Sequence, residues 1–139
     1  VILEGWCVGA RPQTDAELSA PVNTLERTED PRGEWRRYAN DALRGAYHEL
    51  FGRLDMLLLL EAPSFDVVHG WRLEQEHKLR DRVTASGGDM SRVMDDAGVA
   101  RFISHYERIT RHILRELPGR ADIVLELDAQ RAPRRVRGA

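Results

Sequence analysis

A carboxylate that directly follows a short apolar run is the first feature of this sequence that could do chemistry. Glu4 comes after Val1-Ile2-Leu3 and before Gly5, which is the pattern of a buried parallel strand with an acid at its carboxyl end. Ligands of open α/β sheets bind at that edge, where a carboxylate can hold Mg²⁺ or its water. The simpler alternative is an acid that caps neighbouring backbone. Trp6 follows at the same edge and is expected to form a wall of a substrate pocket.

Charged residues spaced four apart form a second candidate group. Arg72, Glu76 and Arg80 share one face of a predicted helix. One interpretation is a surface ion-pair ladder, worth on the order of a few tenths of a kcal/mol per pair. The other is that Arg72 and Arg80 move onto the phosphates of a nucleotide, because a planar guanidinium suits bidentate phosphate binding. The spacing leaves both interpretations open.

A predicted helix near the carboxyl end has a second, polar face that bears Arg101, His105, Arg108 and His112. Either this face is simply solvated, or it forms a basic wall in which His105 and Arg108 bind an anionic substrate. The two histidines do not predict a zinc site, because they lack a thiol or carboxylate of matching geometry. Cys7 has no base close to it in sequence, so a catalytic thiolate is not expected.

The sequence contains no phosphate-binding loop of the kind Gly-x-x-x-x-Gly-Lys-Ser/Thr, in which backbone N–H groups and a lysine hold the phosphates. Its only lysine, Lys78, lies between His77 and Leu79 inside a predicted helix, with no glycine near it. This chain is therefore not, by itself, a complete nucleotide-using enzyme.

The composition restricts the class of protein further. The 139 residues suit a single globular domain, with 42% apolar and 32% charged residues. The longest wholly apolar run, Met56 to Leu60, is far shorter than a membrane span. A net charge of -2 provides no general attraction for nucleic acid, and a single cysteine is typical of a reducing compartment. We expect a soluble, cytoplasmic protein without nucleic-acid or membrane partners.

Hydrophobic periodicity and turn residues predict an alternation of helices and strands. After the Val1-Ile2-Leu3 strand these are a helix from Glu34 to Leu50, a strand from Met56 to Leu60, a helix from Phe65 to Arg80, a flexible, lid-like link over about 81–96, a helix from Asp95 to Leu117 and a strand from Ala121 to Leu127. This order implies right-handed crossovers in a parallel sheet. Three strands are few, so further strands are expected before Val1.

The order and spacing of several segments resemble the carboxyl-terminal half of D-glycerate 3-kinase-like kinases, which are relatives of uridine kinase, pantothenate kinase and phosphoribulokinase. The most specific motifs are Glu-Gly-Trp with the following glycine, and Trp-Arg-Leu-x-x-Glu. The resemblance covers roughly residues 1–133, and its segments are Val1 to Gly9, Pro21 to Glu26, Trp71 to Glu76, and Phe102 to Tyr106 with Leu127-Asp128 and Arg131.

The resemblance implies an α/β fold, a three-layer αβα arrangement with a P-loop NTPase-like parallel sheet, which is incomplete in this chain. It implies ATP with Mg²⁺ as phosphoryl donor and a small hydroxy acid such as D-glycerate as acceptor. It places Glu4 near Mg²⁺, and it places Arg72, Gln75 and Arg80 in the helix that leads to a lid. His105 and Arg108 are not assigned by the resemblance.

The phosphate loop and the acid that activates the acceptor hydroxyl are expected before Val1, so the chain alone is expected to be inactive. Residues 1–133 would then form the carboxyl-terminal part of a kinase domain, and residues 134–139 a basic, frayed tail. A kinase of a nucleoside, pantothenate or a sugar is an alternative, and so is a non-catalytic interaction or regulatory module. The sequence leaves the oligomeric state open.

Overall fold

A computed structural model describes residues 1–138 of the chain, apart from the side chain of Arg92. The helices are α1 (Asp15–Leu18), α2 (Thr24–Glu29), α3 (Glu34–Arg44), α4 (Ala46–Phe51), α5 (Phe65–Ser86), α6 (Asp96–Ser104) and α7 (Glu107–Glu116), with 3-10 turns at Met90–Arg92 and Leu117–Gly119. The strands are β1 (Leu58–Glu61), β2 (Ile123–Leu127) and β3 (Pro133–Gly138). None of the described helices is long and apolar enough to span a bilayer.

The three strands form one mixed sheet in the order β1-β2-β3. β1 and β2 are parallel, with Leu59 opposite Val124, whereas β3 is antiparallel to β2. The α/β class is confirmed, but the expectation of a purely parallel sheet is wrong for the described residues. The reason is a tight reversal after β2, in which the Asp128 carboxylate accepts hydrogen bonds from the N–H groups of Gln130 and Ala132, both at 2.8 Å.

The basic residues expected to fray are part of the sheet. Residues 134–138 lie in β3, where Arg137 ion-pairs with Glu61 on β1 and with Glu126 on β2, at 2.9 and 2.6 Å. The backbone pairing and these two charged contacts account for the order of the segment. Ala139, the last residue of the predicted tail, lies outside the described residues.

The Val1-Ile2-Leu3 run is not a strand in this structure. It has no regular structure, and Val1 and Ile2 are fully exposed. A strand needs a hydrogen-bonded neighbour, and among the described residues no strand pairs with this run. The strand was predicted from apolar character alone, but hydrogen-bonded pairing decides whether a strand forms.

The predicted strand from Met56 to Leu60 is present as β1, but only one of its faces is covered. Leu59 is buried, whereas Leu58 and Leu60 are 53% and 59% exposed. A wholly apolar run would suggest a strand covered on both faces, and that interpretation is wrong here. On the covered face, Leu59 and Val124 pack with the other core residues, Ala10, Leu43, Ile113 and Leu117.

The two longest predicted helices are each interrupted. Gly45 separates α3 from α4, and His105 with Tyr106 separates α6 from α7. In contrast, α5 continues past Arg80 to Ser86 and ends at Gly87, which adopts a left-handed conformation with φ of 63°. The irregular part of the predicted lid-like link is therefore shorter than expected, namely residues 87–95.

The inward face of α3 does not carry the aromatic residues of that helix. Trp35 and Tyr38 are exposed, whereas Arg36, Asn40 and Leu43 are buried. α3 begins after Gly33, whose φ of 73° favours glycine, and a Cβ there would lie 2.9 Å from the Arg36 guanidinium carbon. The glycine thus allows the arginine to fold back under the helix start.

Candidate functional site

Three aromatic rings connect the two most specific sequence motifs. Trp6 packs edge-to-face on Tyr106 with 4.8 Å between ring centroids, and Tyr106 packs on Phe102 at 5.0 Å. We call these three residues the aromatic row. The indole N–H of Trp6 donates to the Thr110 hydroxyl at 2.9 Å, which fixes the ring against α7. Trp6 remains 45% exposed, so one side of the row is open to a ligand.

Arg72 extends the aromatic row onto α5. Its guanidinium carbon lies 5.3 Å from the centre of the Phe102 ring, a cation–π contact. The same guanidinium donates to the Gln75 amide oxygen at 2.7 Å and ion-pairs with Glu76 at 2.8 Å. The structure therefore brings together Trp6, Arg72 and Gln75, three of the predicted site residues, around the junction of α6 and α7.

Arg80 lies two turns further along α5 and contacts the connection to α6. It donates to the backbone carbonyl of Met94 at 2.9 Å and lies 3.6 Å from the Asp96 carboxylate. Asp96 also accepts from His77 at 2.8 Å. A role on nucleotide phosphates would require Arg80 to leave these partners.

Glu4 lies apart from the other candidates. It is exposed, and among the described residues it has no ion pair or side-chain hydrogen bond. Among all the residues that the structure describes, no group of three or more His, Cys, Asp or Glu side chains is placed to hold a metal ion. Glu4 can thus offer one carboxylate, which is not a magnesium site on its own.

His105 and Arg108 border a cavity of about 160 Å³ between α2, α3 and α7. His105 is exposed at the rim, and its Nδ1 lies 3.0 Å from the Arg101 carbonyl. Much of the lining is apolar, and it includes Leu25, Trp35, Ala39, Leu43 and Ile109.

Arg108 is buried and uses its whole guanidinium within the protein. It donates twice to the Glu26 carboxylate, at 2.8 and 2.7 Å, and also to the carbonyls of Glu17 and Ala20 and the side chain of Gln13. A guanidinium has five N–H groups, so none remains for a substrate. Arg108 therefore holds α1 and α2 against α7.

A second buried arginine organises the opposite wall of the cavity. Arg36 donates to the Leu18 carbonyl at 2.7 Å and to the backbone carbonyl and carboxylate of Asp30 at 2.8 and 3.3 Å. Asp30 also accepts from the backbone N–H groups of Trp35 and Arg36, at 3.0 and 3.2 Å, so it caps the start of α3. Asn40 exchanges two hydrogen bonds with the backbone of Gln13, at 2.6 and 3.0 Å.

These contacts govern the pKa values of the buried acids. Burial alone would raise the pKa of Glu26, but hydrogen bonds from Arg108 and from the Val22 N–H, together with the arginine charges, hold it below its usual value. Burial likewise opposes a lowered pKa at Asp30, where the α3 N–H groups and the Arg36 charge prevail. Burial raises the pKa of the Cys7 thiol, which disfavours a reactive thiolate.

Sequence reasoning missed Glu26, Asp30, Arg36 and Asn40. Their burial depends on partners far away in the chain, since Arg108 and Glu26 are 82 residues apart. The one local signal was the break at Asp30-Pro31-Arg32-Gly33, where an aspartate precedes a helix and is suited to accept from its first N–H groups.

These elements are arranged as in part of a solved kinase structure. The structure superposes on D-glycerate 3-kinase from Cryptococcus neoformans var. grubii with a TM-score of 0.68, over 97% of this chain and 48% of that chain, at 20% sequence identity. In sequence, the chain is 34% identical over 106 residues to the uncharacterized kinase mug58 of Schizosaccharomyces pombe. That match covers 76% of this chain and 35% of the relative.

The resemblance to D-glycerate 3-kinase-like kinases is confirmed by these two comparisons. No protein-family model matches the chain. The chain spans about a third of the length of the curated relative and about half of the solved structure.

We predict that Arg108→Ala destabilises the full-length protein by about 3–5 kcal/mol, because it leaves the Glu26 carboxylate buried without its partner. Arg44→Ala is the matched control, since Arg44 forms an exposed pair with Asp41 and its loss should cost about 0–1 kcal/mol. Urea unfolding of the three proteins measures both values. Equal unfolding free energies for the two variants would contradict the assigned role of Arg108.

We also predict a loss of stability in acid that depends on Arg108. The folded-state pKa of Glu26 lies below its ordinary value of 4.5, so its contribution is present above that value and is lost as the pH falls through the lower folded-state pKa. The free energy of unfolding should therefore decrease below about pH 4.5. Arg108→Ala should flatten this dependence and Arg44→Ala should not; an unchanged slope in Arg108→Ala would rule out the Glu26 contribution.

Proposed function

We propose that this chain supplies the carboxyl-terminal half of an ATP-dependent kinase that phosphorylates a hydroxyl group of D-glycerate or a similar small acid. One observation carries the proposal: the aromatic row and Arg72 join the Glu-Gly-Trp and Trp-Arg-Leu-x-x-Glu motifs into one partly open surface. The fold shared with a D-glycerate 3-kinase and the sequence similarity to a kinase support it.

The described residues do not form a site for Mg-ATP by themselves. Lys78, the only lysine, is engaged with Glu74 on the surface of α5, and Glu4 has no companion carboxylate placed to share a metal ion in the described part of the chain. In the proposal, Glu4 contributes one carboxylate to a magnesium site whose other ligands come from elsewhere in the intact protein.

The arginines of α5 are proposed to neutralise charge during transfer. Phosphoryl transfer depends mainly on positioning and on stabilising negative charge, and guanidinium groups suit that task. Arg72 is held beside the aromatic row by Phe102, Gln75 and Glu76. Arg80 is held by the Met94 carbonyl, just before α6, and it would reach the phosphates only when residues 87–95, between α5 and α6, move.

The acceptor is proposed to bind near Trp6 and Gln75, where the surface combines an aromatic wall with an amide. His105 lies at the rim of the cavity between α2, α3 and α7 and is proposed to contact an anionic acceptor. Arg108 is proposed to act indirectly, since its five hydrogen bonds to protein groups keep the cavity wall in place. A cytoplasmic location and the absence of nucleic-acid partners remain predictions from composition.

The full-length protein should release ADP from ATP and Mg²⁺ faster with D-glycerate than with a nucleoside, pantothenate or a sugar. A coupled ADP assay with each acceptor measures this preference. Faster ADP release with one of the other acceptors would support a kinase with a different substrate. No ADP release with any acceptor would favour a non-catalytic module.

Glu4→Gln tests the metal role in the same assay. The substitution keeps the size of the side chain but removes the charge, so we expect a lower kcat and a higher Mg²⁺ requirement. Glu49→Gln, an exposed glutamate on α4, is the matched control and should leave both unchanged. Wild-type kcat and Mg²⁺ dependence in Glu4→Gln would exclude Glu4 from the site.

A further inference from the structure

Glu76 is the most deeply buried charged side chain among those the structure describes. It is 1% exposed, although it lies in the middle of a charged stretch of α5. A buried carboxylate is costly unless it is paired and hydrogen-bonded. The groups that pair with the Glu76 carboxylate therefore indicate its role.

The two carboxylate oxygens of Glu76 serve different parts of the molecule. Oε1 accepts a hydrogen bond from the backbone N–H of Met94 at 2.8 Å. Oε2 lies 2.8 Å from Nη2 of Arg72, but this ion pair lacks a well-aligned hydrogen bond, and Oε2 and the Nε of Arg72 are both buried without a hydrogen-bond partner in the described part of the chain. The pair is thus held by charge more than by geometry.

Met94 lies in the α5–α6 connection, which we define as residues 87–95. The connection is held to α5 at two points of the Met94 backbone, since Glu76 accepts from its N–H and Arg80 donates to its carbonyl at 2.9 Å. α6 begins directly after the connection and carries Phe102, whose ring contacts Arg72. Arg72 is therefore bounded on one side by Glu76 and on the other by the helix that the connection positions.

We propose that Glu76 is a positioning residue that couples the Arg72 side chain to the α5–α6 connection. When Arg72 leaves Glu76, the buried carboxylate loses its only charged partner in the described part of the chain, and an unpaired buried charge favours any rearrangement that exposes it to water. That rearrangement breaks the bond to the Met94 N–H and releases one of the two points that hold the connection. By reciprocity, opening of the connection frees Arg72.

The coupling has a consequence that rests on the proposed function: an anion that draws Arg72 away from Glu76 would also loosen the connection. The coupling itself is a property of the protein without ATP or acceptor. Hydrogen exchange of the Met94 amide, measured by NMR on the full-length protein, reports the bond to Glu76 directly.

Arg72→Ala should accelerate exchange of the Met94 amide at least about fivefold, although Arg72 does not itself contact Met94 through a hydrogen bond. The matched control is Arg82→Ala, because Arg82 is an exposed arginine of the same helix that bonds only to the Lys78 carbonyl among the described residues. Arg82→Ala should leave the exchange rate of Met94 unchanged. Equal rates in the two variants would overturn the proposal.

Glu76→Gln separates coupling from a general effect of losing an arginine. The glutamine keeps an oxygen for the Met94 N–H but carries no charge for Arg72, so Arg72→Ala should add no acceleration in that background. The same acceleration in both backgrounds would show that Arg72 acts by another route.

The amides of Val124 and Leu125 in β2 control for global unfolding and should keep their protection in every variant. If Arg72→Ala unfolds the sheet as well, Arg72→Lys replaces it, because lysine keeps a positive charge beside Glu76. In Arg72→Lys the Met94 amide should stay as protected from exchange as in the wild type. Loss of that protection while the sheet stays folded would contradict the coupling. The hydrogen-exchange rates do not depend on whether the protein shows kinase activity. The coupling and the proposed function can therefore be disproved separately.

Discussion

The buried guanidinium of Arg108 is the constraint on which the arrangement of the amino-terminal third depends. α1 and α2 are only 4 and 6 residues long, too short to be stable as isolated helices. Arg108 on α7 donates to the Glu17 carbonyl of α1, to the Ala20 carbonyl that follows α1 and to the Glu26 carboxylate in the first turn of α2. One buried charged side chain thus holds both short helices against α7.

Arg36 repeats the same solution on the other side of the cavity, where it joins the end of α1 to the start of α3 through Leu18 and Asp30. The two arginines leave between them a space whose polar groups are largely occupied by protein partners and whose lining is largely apolar. Two members of the aromatic row, Phe102 and Tyr106, lie at the end of α6, and Trp6 is bound to α7 through Thr110. A held arrangement of this kind would serve the proposed phosphoryl transfer, which depends mainly on positioning.

The sequence predicted those parts of the fold that depend on local pattern. Apolar runs located β1 and β2, and the helix predicted to start at Phe65 is α5, whose first turn is capped by Ser64 accepting from the Val67 N–H. The helix predicted from Glu34 to Leu50 is interrupted at Gly45, because the apolar spacing on both sides of Gly45 does not reveal the break. Local pattern failed for Val1 to Leu3, which were predicted to form a strand. A strand forms only beside a hydrogen-bonded neighbour, and local pattern does not show whether that neighbour is present.

The candidate site was predictable only in part. The two short motifs contain Trp6 and Arg72, and the structure connects them through Phe102 and Tyr106. The buried ion pairs were not predictable, since a charged residue is expected at the surface unless its partner is known. For Arg108 that partner is 82 residues away, beyond the reach of any periodicity.

Arg108 can hold α1 and α2 against α7 only if its hydrogen bonds stay closed in the folded protein. Solvent exchange of its side-chain Nε–H, measured by NMR with the exposed Arg134 as internal reference, tests this directly. We expect the Arg108 Nε–H to exchange as slowly as the backbone amides in the middle of α7, since its bond to Glu26 opens only when α2 leaves α7. Exchange as rapid as that of Arg134 would show that the guanidinium is free and would contradict its role in holding the two helices.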